Sequence, residues 1–312
     1  MLHAVIDIGS NTIRLCVYDC SLQGSFSQIL GRKVTAGLAG HTENGELTQK
    51  GIDAAIDALC GFQAVLSHLE VESVSVFATA SLRNVTNSVA AAEAIWQGTG
   101  YPIDVLSGEE EARLDFLGVM LDNQNPDGLV MDIGGGSCEL VRFSQKKIEK
   151  AVSLPIGSLK LYRGFVRELF PTSQEAQSIR AEVMHCLEQE GVCTASCKTV
   201  LGVGGTLRHV ARLCAAMGEG RVDGFSVEAF HKVLSQLCAD PKFALEQIIS
   251  LVPERVHTLI PGMLLFDVVS DYYRCERVII SKYGVREGFL ADRILKNFTV
   301  EEQQNGETGI SL

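Results

Sequence analysis

Apolar residues fall into two periods along the chain. Short apolar runs bounded by turn-forming residues predict strands at 3–8, 14–18, 26–34, 74–78 and 103–106. Between the third and fourth of these, Ile52, Ala55, Ile56, Leu59, Phe62, Val65, Leu66 and Leu69 recur at helical spacing, so a helix is predicted from a Thr48 N-cap through His68. Two more helices are predicted over 88–98 and 109–120, the second with acids in its first turn, where the helix dipole is positive. Residues 122–128 are polar and rich in turn formers, which places a domain boundary there.

The second half restarts the same order. Apolar runs at 128–131 and 140–141 flank a glycine-rich turn, and a third strand follows near 148–154. A helix bearing Lys160 and Arg163 comes next, then a long helix capped by Thr172 or Ser173 and ending near Gln189, then a strand at 199–203. Helical segments at 226–238, 242–250 and 262–273, a strand at 277–281 and a last helix complete it. Asp7 and Arg83 are 76 residues apart, and so are Asp132 and Arg208. Each arginine closes a similar phrase, Ala80-Ser81-Leu82-Arg83 and Gly205-Thr206-Leu207-Arg208. The simplest account is an α/β chain of two related lobes, 1–124 and 125–300, the second with extra helices, followed by a polar tail at 301–312.

Candidate chemistry concentrates in Met131-Asp132-Ile133-Gly134-Gly135-Gly136-Ser137-Cys138-Glu139-Leu140. Without Cβ atoms, Gly134, Gly135 and Gly136 let backbone N–H groups surround an anion, and Ser137 adds a donor. Phosphate is the natural guest, although a plain hairpin turn would also use glycine. Asp132 and Glu139 beside a phosphate loop require a cation between like charges, and magnesium is the expected one. Asp7-Ile8-Gly9-Ser10-Asn11-Thr12 echoes this stretch; taken alone it reads equally as an Asx-type turn. Arg83 and Arg208 end strand-to-helix phrases, where ligands of α/β sheets gather and a planar guanidinium suits phosphate oxygens.

Composition narrows the classes. The 312 residues, 46% hydrophobic and 21% charged, supply core for two globular domains. A net charge of −11 argues against broad nucleic-acid or anionic-membrane binding, so a polyanionic substrate must be drawn in by local basic residues. No apolar run of about 20 residues is present, and the start of the chain reads as a strand rather than a signal peptide, so a cytoplasmic protein is expected. The ten cysteines then read as free thiols. A zinc reading of His185, Cys186, Cys193 and Cys197 lacks a C-x-x-C pair.

Six phrases in order resemble the exopolyphosphatase / guanosine pentaphosphate phosphohydrolase family. They are Asp7-Ile8-Gly9-Ser10-Asn11-Thr12, Ala78-Thr79-Ala80-Ser81-Leu82-Arg83, Ser107-Gly108-Glu109-Glu110-Glu111-Ala112-Arg113, Asp132-Ile133-Gly134-Gly135-Gly136-Ser137, Gly202-Val203-Gly204-Gly205-Thr206 and Gly284-Val285-Arg286-Glu287-Gly288. The resemblance implies an actin-like, sugar-kinase-like fold of two ribonuclease-H-like lobes, with the active site in the interlobe cleft and no added helical C-terminal domain. It implies magnesium-dependent hydrolysis of terminal phosphoanhydrides, with Glu111 as catalytic base and Glu110 as its rival, and with Asp132 and Glu139 serving the metal and the attacking water. Asp7, Ser10, Asn11, Arg83, Gly134, Gly135, Gly136, Ser137 and Arg286 are the expected phosphate-binding residues. The chain departs from the family's pattern at Cys138, where Thr is usual, and at His257 and Lys282, where acids are common.

Inorganic polyphosphate is the first expected substrate and guanosine pentaphosphate the second. The modest aromatic content of 6% shows no stacking pair for a guanine base. A kinase or ATPase of the actin-like superfamily, with Gly202 to Thr206 as its nucleotide stretch, and a non-catalytic polyphosphate or alarmone sensor are the remaining readings. A homodimer is compatible with the resemblance. A basic track for long chains would draw on Arg14, Arg32, Lys33, Lys160 and Arg163, each of which also reads as a solvated surface residue.

Overall fold

The computed structural model describes residues 1–191 and 196–296. They form two compact units, Met1–Glu110 with the segment from Val285, and Glu111–Gly284.

In the first unit β1 (Leu2–Ile8) runs antiparallel to β2 (Ile13–Cys20), which pairs with β3 (Phe26–Val34) at the sheet edge. A small hairpin, β4 (Thr42–Glu43) and β5 (Glu46–Leu47), turns at Asn44 and Gly45, both at positive φ. On the other side of β1 lie β6 (Val71–Ala78) and β7 (Ile103–Val105), both parallel, giving the order β3-β2-β1-β6-β7. Central β1 is almost wholly buried, while edge strand β3 carries Gln28, Arg32 and Lys33 to solvent, as an edge that must not recruit another strand does. Helix α1 (Gln49–Leu66) starts after an extended Thr48 and buries Ile52, Ala55, Leu59, Phe62 and Leu66 in one core with Ala4, Ile6 and Ile8. Helices α2 (Ala80–Arg83) and α3 (Ser88–Thr99) follow β6.

Helix α4 (Gly108–Met120) leads into the second unit. There β8 (Gly128–Ile133), β9 (Cys138–Ser144) and β10 (Lys147–Leu154) form an antiparallel meander, and β11 (Thr199–Val203) lies parallel to β8. With β12 (Gly224–Ser226) and β13 (Arg277–Ile280) the order is β10-β9-β8-β11-β13-β12. Third-second-first-fourth-fifth therefore recurs in both sheets, β12 being an addition, and the internal repeat read from the sequence is a repeat of topology. Helix α5 (Ser158–Phe165) follows β10, and α6 (Ser173–Gln189) opens on a capping box between Thr172 and Glu175. Helices α7 (Gly204–Ala216), α8 (Val227–Ala239), α9 (Pro241–Leu251) and α10 (Leu259–Tyr272) complete the core, with α10 buried at each position from Leu259 to Ser270.

The compact units divide at Glu110/Glu111 and Gly284/Val285, whereas the sequence reading divides the chain at 124/125 and keeps 125–300 together. Packing explains the difference. Ala112, Phe116 and Val119 of α4 are buried with Val130, Val141, Phe143 and Leu201 of the second sheet, so the polar stretch at 122–128 connects two elements of one unit. At the far end, α11 (Val285–Phe289) belongs with the first unit, where Phe289 stacks on Phe77 at 4.9 Å. Strand β12 escaped the sequence reading because its three residues hold one apolar side chain. Cys193 and the 301–312 tail lie outside the described residues. Among the described residues, no helix is long and apolar enough to cross a membrane.

Candidate active site

The loop from β8 to β9 is built as a tight turn, with the Gly134 N–H donating to the Ser137 carbonyl at 3.0 Å. Its own carbonyls are turned towards the start of α5. Gly134 O accepts from Ser158 N at 2.9 Å and Ser158 Oγ at 3.1 Å, and Gly135 O accepts from Leu159 N and Lys160 N, both at 3.0 Å. A trans peptide unit is planar with C=O and N–H opposed. The N–H groups of Gly135 and Gly136 consequently point away from α5, side by side, as an anion-binding nest requires. The approach of α5 depends on Gly157, where a Cβ would lie 2.6 Å from Gly135 C and 2.7 Å from Gly134 O.

Asp132 and Glu139 are directly opposed in the β8–β9 register. Glu139 is 2% exposed and its Oε1 accepts from Ser153 Oγ at 2.7 Å. Asp115, one turn beyond Glu111 on α4, is fully buried, and Glu111 is buried beside it on the helix. Cys138, next to Glu139 in the chain, sends its thiol to the other face of the sheet, into the core with Ile133 and Leu140; burial first and then Glu139, Asp132 and Asp115 push that thiol well above its ordinary range. It is a neutral thiol at physiological pH. Opposed carboxylates of this kind offer an all-oxygen donor set, which suits a hard cation.

The turn into α7 closes this site. Gly204, at φ +77°, lies against the Asp132 carboxylate, and Gly205 lies against the Arg255 guanidinium, where a Cβ would be 2.4 Å from Nη2. Thr206 donates its hydroxyl to the Ile133 carbonyl at 2.8 Å. His209 is brought down to about 4 by burial, with Arg255, Arg212 and Arg208 adding to the effect, so the imidazole stays neutral amid guanidinium groups. From the sequence Arg208 stands out, whereas Arg255 and Asp115 do not. Asp115 carried a usable signal, its i,i+4 spacing from Glu111; nothing local marked Arg255.

In the first unit the β1–β2 turn repeats the peptide logic. Gly9 N–H donates to Thr12 O at 3.2 Å, while Ser10 O and Asn11 O accept from Ala39 N at 2.8 Å and Gly37 N at 3.0 Å. The N–H groups of Asn11 and Thr12 therefore face away from the 37–39 segment. Ser81 donates its hydroxyl to the Ile8 carbonyl, the counterpart of Thr206 to Ile133, and both pairs span 73 residues. Arg83 Nη1 donates to Leu106 O at 3.1 Å. Arg286 Nη1 lies 3.4 Å from Asp7 Oδ2, and Tyr18 donates to Glu287 Oε1 at 2.5 Å. Burial raises the Asp7 carboxyl above its ordinary value despite Arg286 and Arg14. For Arg286, burial favours the neutral form, but Glu287, Cys16 and Asp7 outweigh it and keep the guanidinium charged. Glu110 pairs with Arg293.

The other departures are placed as ring contacts. His257 lies 5.1 Å from the Tyr162 ring, and Lys282 Nζ sits 4.8 Å from the centre of the Tyr283 ring.

The profile of the Ppx/GppA phosphatase family matches residues 19–297. The chain belongs to this family. It is 27% identical over 307 residues to exopolyphosphatase 1 of Mycobacterium tuberculosis, covering 94% of this chain and 88% of that protein. It is 26% identical over 292 residues to the guanosine-5'-triphosphate,3'-diphosphate pyrophosphatase of Aliivibrio fischeri, covering 92% of this chain and 58% of that protein. The crystal structure of an exopolyphosphatase from Cytophaga hutchinsonii superposes with a TM-score of 0.83 at 22% identity, over 95% of this chain and 98% of that one. The Ppx/GppA resemblance read from six phrases is borne out, as is the α/β fold of two related lobes.

Proposed function

We propose that the protein is a magnesium-dependent exopolyphosphatase that removes orthophosphate from the end of inorganic polyphosphate. The observation that carries this reading is the pair of parallel amides at Gly135 and Gly136 beside the opposed acids Asp132 and Glu139. The loop binds terminal phosphate oxygens, with Ser137 at its end, and the β1–β2 turn with Ser10 and Asn11 binds phosphate in the same manner. Asp132 and Glu139 would hold magnesium, which when bound would supply positive charge against the phosphate oxygens. Asp7, Arg83 and Arg286 belong to the phosphate-binding set, Asp7 through its pairing with Arg286. The two arginines supply local positive charge for a polyanion in a protein whose net charge is −11.

Glu111 is the base. Its burial on α4, beside the buried Asp115, supports it over Glu110, whose carboxylate is engaged by Arg293. The oxygen of a water bonds to the terminal phosphorus, the bridging P–O bond breaks, and the bridging oxygen leaves on the shortened chain. A proton of that water passes to Glu111 and on to solvent.

Guanosine pentaphosphate is a second substrate reading, supported by 26% identity to the Aliivibrio fischeri enzyme against 27% to the mycobacterial one. One assay tests both: phosphate release from short polyphosphate, long polyphosphate and guanosine pentaphosphate, each with and without magnesium. Release from polyphosphate that exceeds release from the nucleotide and needs magnesium is expected. Preference for the nucleotide selects the second reading, and binding without release overturns both.

A further inference from the structure

A separate constellation of metal-ligating side chains stands on α8 and α10, neither of which carries a residue of the loop site. His231 is on α8, and Asp267 and Asp271 are one turn apart on α10. Nε2 of His231 lies 3.2 Å from Asp267 Oδ1 and 3.9 Å from Asp271 Oδ1, and one donor atom from each residue lies within 4.8 Å of the others. Tetrahedral zinc with bonds of about 2.0–2.1 Å spaces its donor atoms roughly 3.4 Å apart. The two separations from His231, 3.2 and 3.9 Å, bracket that spacing, and one donor atom from each of the three residues is near enough to the others for a single ion to draw them in.

The remaining oxygen of Asp267 is already engaged. Arg180 of α6 donates to Oδ2 from Nε at 2.9 Å and from Nη2 at 2.7 Å. This fixes the carboxylate with Oδ1 towards His231, the kind of outer hydrogen bond that orients metal-ligating carboxylates. Two carboxylates against one guanidinium leave a negative charge for a cation to neutralise. A cavity of about 370 Å³, lined by Gln177, Arg180, His231, Ser235, Cys238 and Asp267 among others, opens on the same place and has room for water at a fourth position. His231 and Asp271 are exposed enough for an ion to enter without opening the fold.

We propose that His231, Asp267 and Asp271 bind one zinc ion, with Arg180 as the positioning residue for Asp267. The imidazole donor favours zinc over magnesium, which prefers oxygen and keeps its waters. Because the ligands come from two helices, the bound ion ties α8 to α10 and adds to stability by mass action. The competing account is a protonated imidazole shared between two carboxylates, which needs no metal.

The test uses the whole protein in excess magnesium, added to compete with zinc at the oxygen-only acids that the proposed function assigns to magnesium. Zinc is added, unbound metal is removed by gel filtration, and retained zinc and the melting temperature are measured. The expected result is about one zinc per chain and a zinc-dependent rise in melting temperature, both lost in His231→Ala and Asp271→Asn while the zinc-free variants melt near the parent. Asp271 is an exposed position, so its variant carries the test even if His231→Ala folds poorly. Retention of zinc by neither parent nor variants, or equally by all, overturns the proposal.

Discussion

Gly204 is held against Asp132 so closely that a methyl group on it would lie 2.1 Å from Oδ1 and 2.9 Å from the carboxyl carbon. Its φ of +77° adds a second reason for glycine. Gly218 has the same φ, with nothing within 4 Å of its missing Cβ, and so isolates the backbone effect. Gly218→Ala is expected to lose about 1–2 kcal/mol to the left-handed backbone while keeping phosphate release. Gly204→Ala should lose more and lower phosphate release at least about tenfold, because the carboxylate must move. Denaturant unfolding and phosphate assays on the pair decide; equal behaviour of the two variants would mean that Asp132 does not need its position.

The Thr206 hydroxyl makes a related prediction about the strand ends. It is 1% exposed and donates to the carbonyl of Ile133, next to the glycine loop. Thr206→Val preserves shape but orphans a buried acceptor, which costs about 1–3 kcal/mol. Thr206→Ser keeps the hydrogen bond and loses a methyl group packed near Gly262, costing about 0.8 kcal/mol. Phosphate release should survive in the serine variant and fall in the valine one. A valine variant as stable and active as the parent would show that the carbonyl finds another donor.

Glu110 and Glu111 are neighbours in sequence with different surroundings. Glu110→Gln removes a solvent-facing pair with Arg293, and a change of stability below about 1 kcal/mol is expected with activity kept. Glu111→Gln is expected to lower turnover by roughly 10² to 10⁴ while polyphosphate still binds. Binding by calorimetry together with release rates separates the two effects. Equal turnover of Glu111→Gln and the parent would remove Glu111 from its role.

Much of this architecture is legible in the sequence, for local reasons. The spacing of Ile52, Ala55 and Leu59 announced α1, and Asp-Ile-Gly at residues 7 and 132 marked the first strand of each sheet. What escaped was long-range. Arg286 meets Asp7 across 279 residues, so no window of sequence shows that the chain returns to its first unit at Val285. The polar stretch at 122–128 has the composition of a linker, yet the helix before it packs on the strands after it through Phe116 and Phe143, 5.4 Å apart. Of the site, the glycine loop and the opposed acids were readable because strand-turn-strand fixes their register; Arg255 was not, since it reaches Gly205 from a distant turn.

Asp7 yields a pH prediction whose sign follows from its burial. Its carboxyl is raised above the ordinary 3.8 by burial, against the opposing pull of Arg286 and then Arg14. In the unfolded chain Asp7 releases its proton near 3.8, before the folded protein does. Over the window above that value the folded state holds more protons, so stability falls as pH rises, and it levels off once the folded carboxyl has also ionised. Asp7→Asn removes the titration while keeping a side chain of similar size. The unfolding free energy of the parent minus that of Asp7→Asn should therefore be greatest below pH 3.8 and decrease above it. Denaturant melts at a series of pH values give that difference directly. If the difference grows with pH instead, the ion pair with Arg286 outweighs burial, and Asp7 stabilises the first unit as an anion.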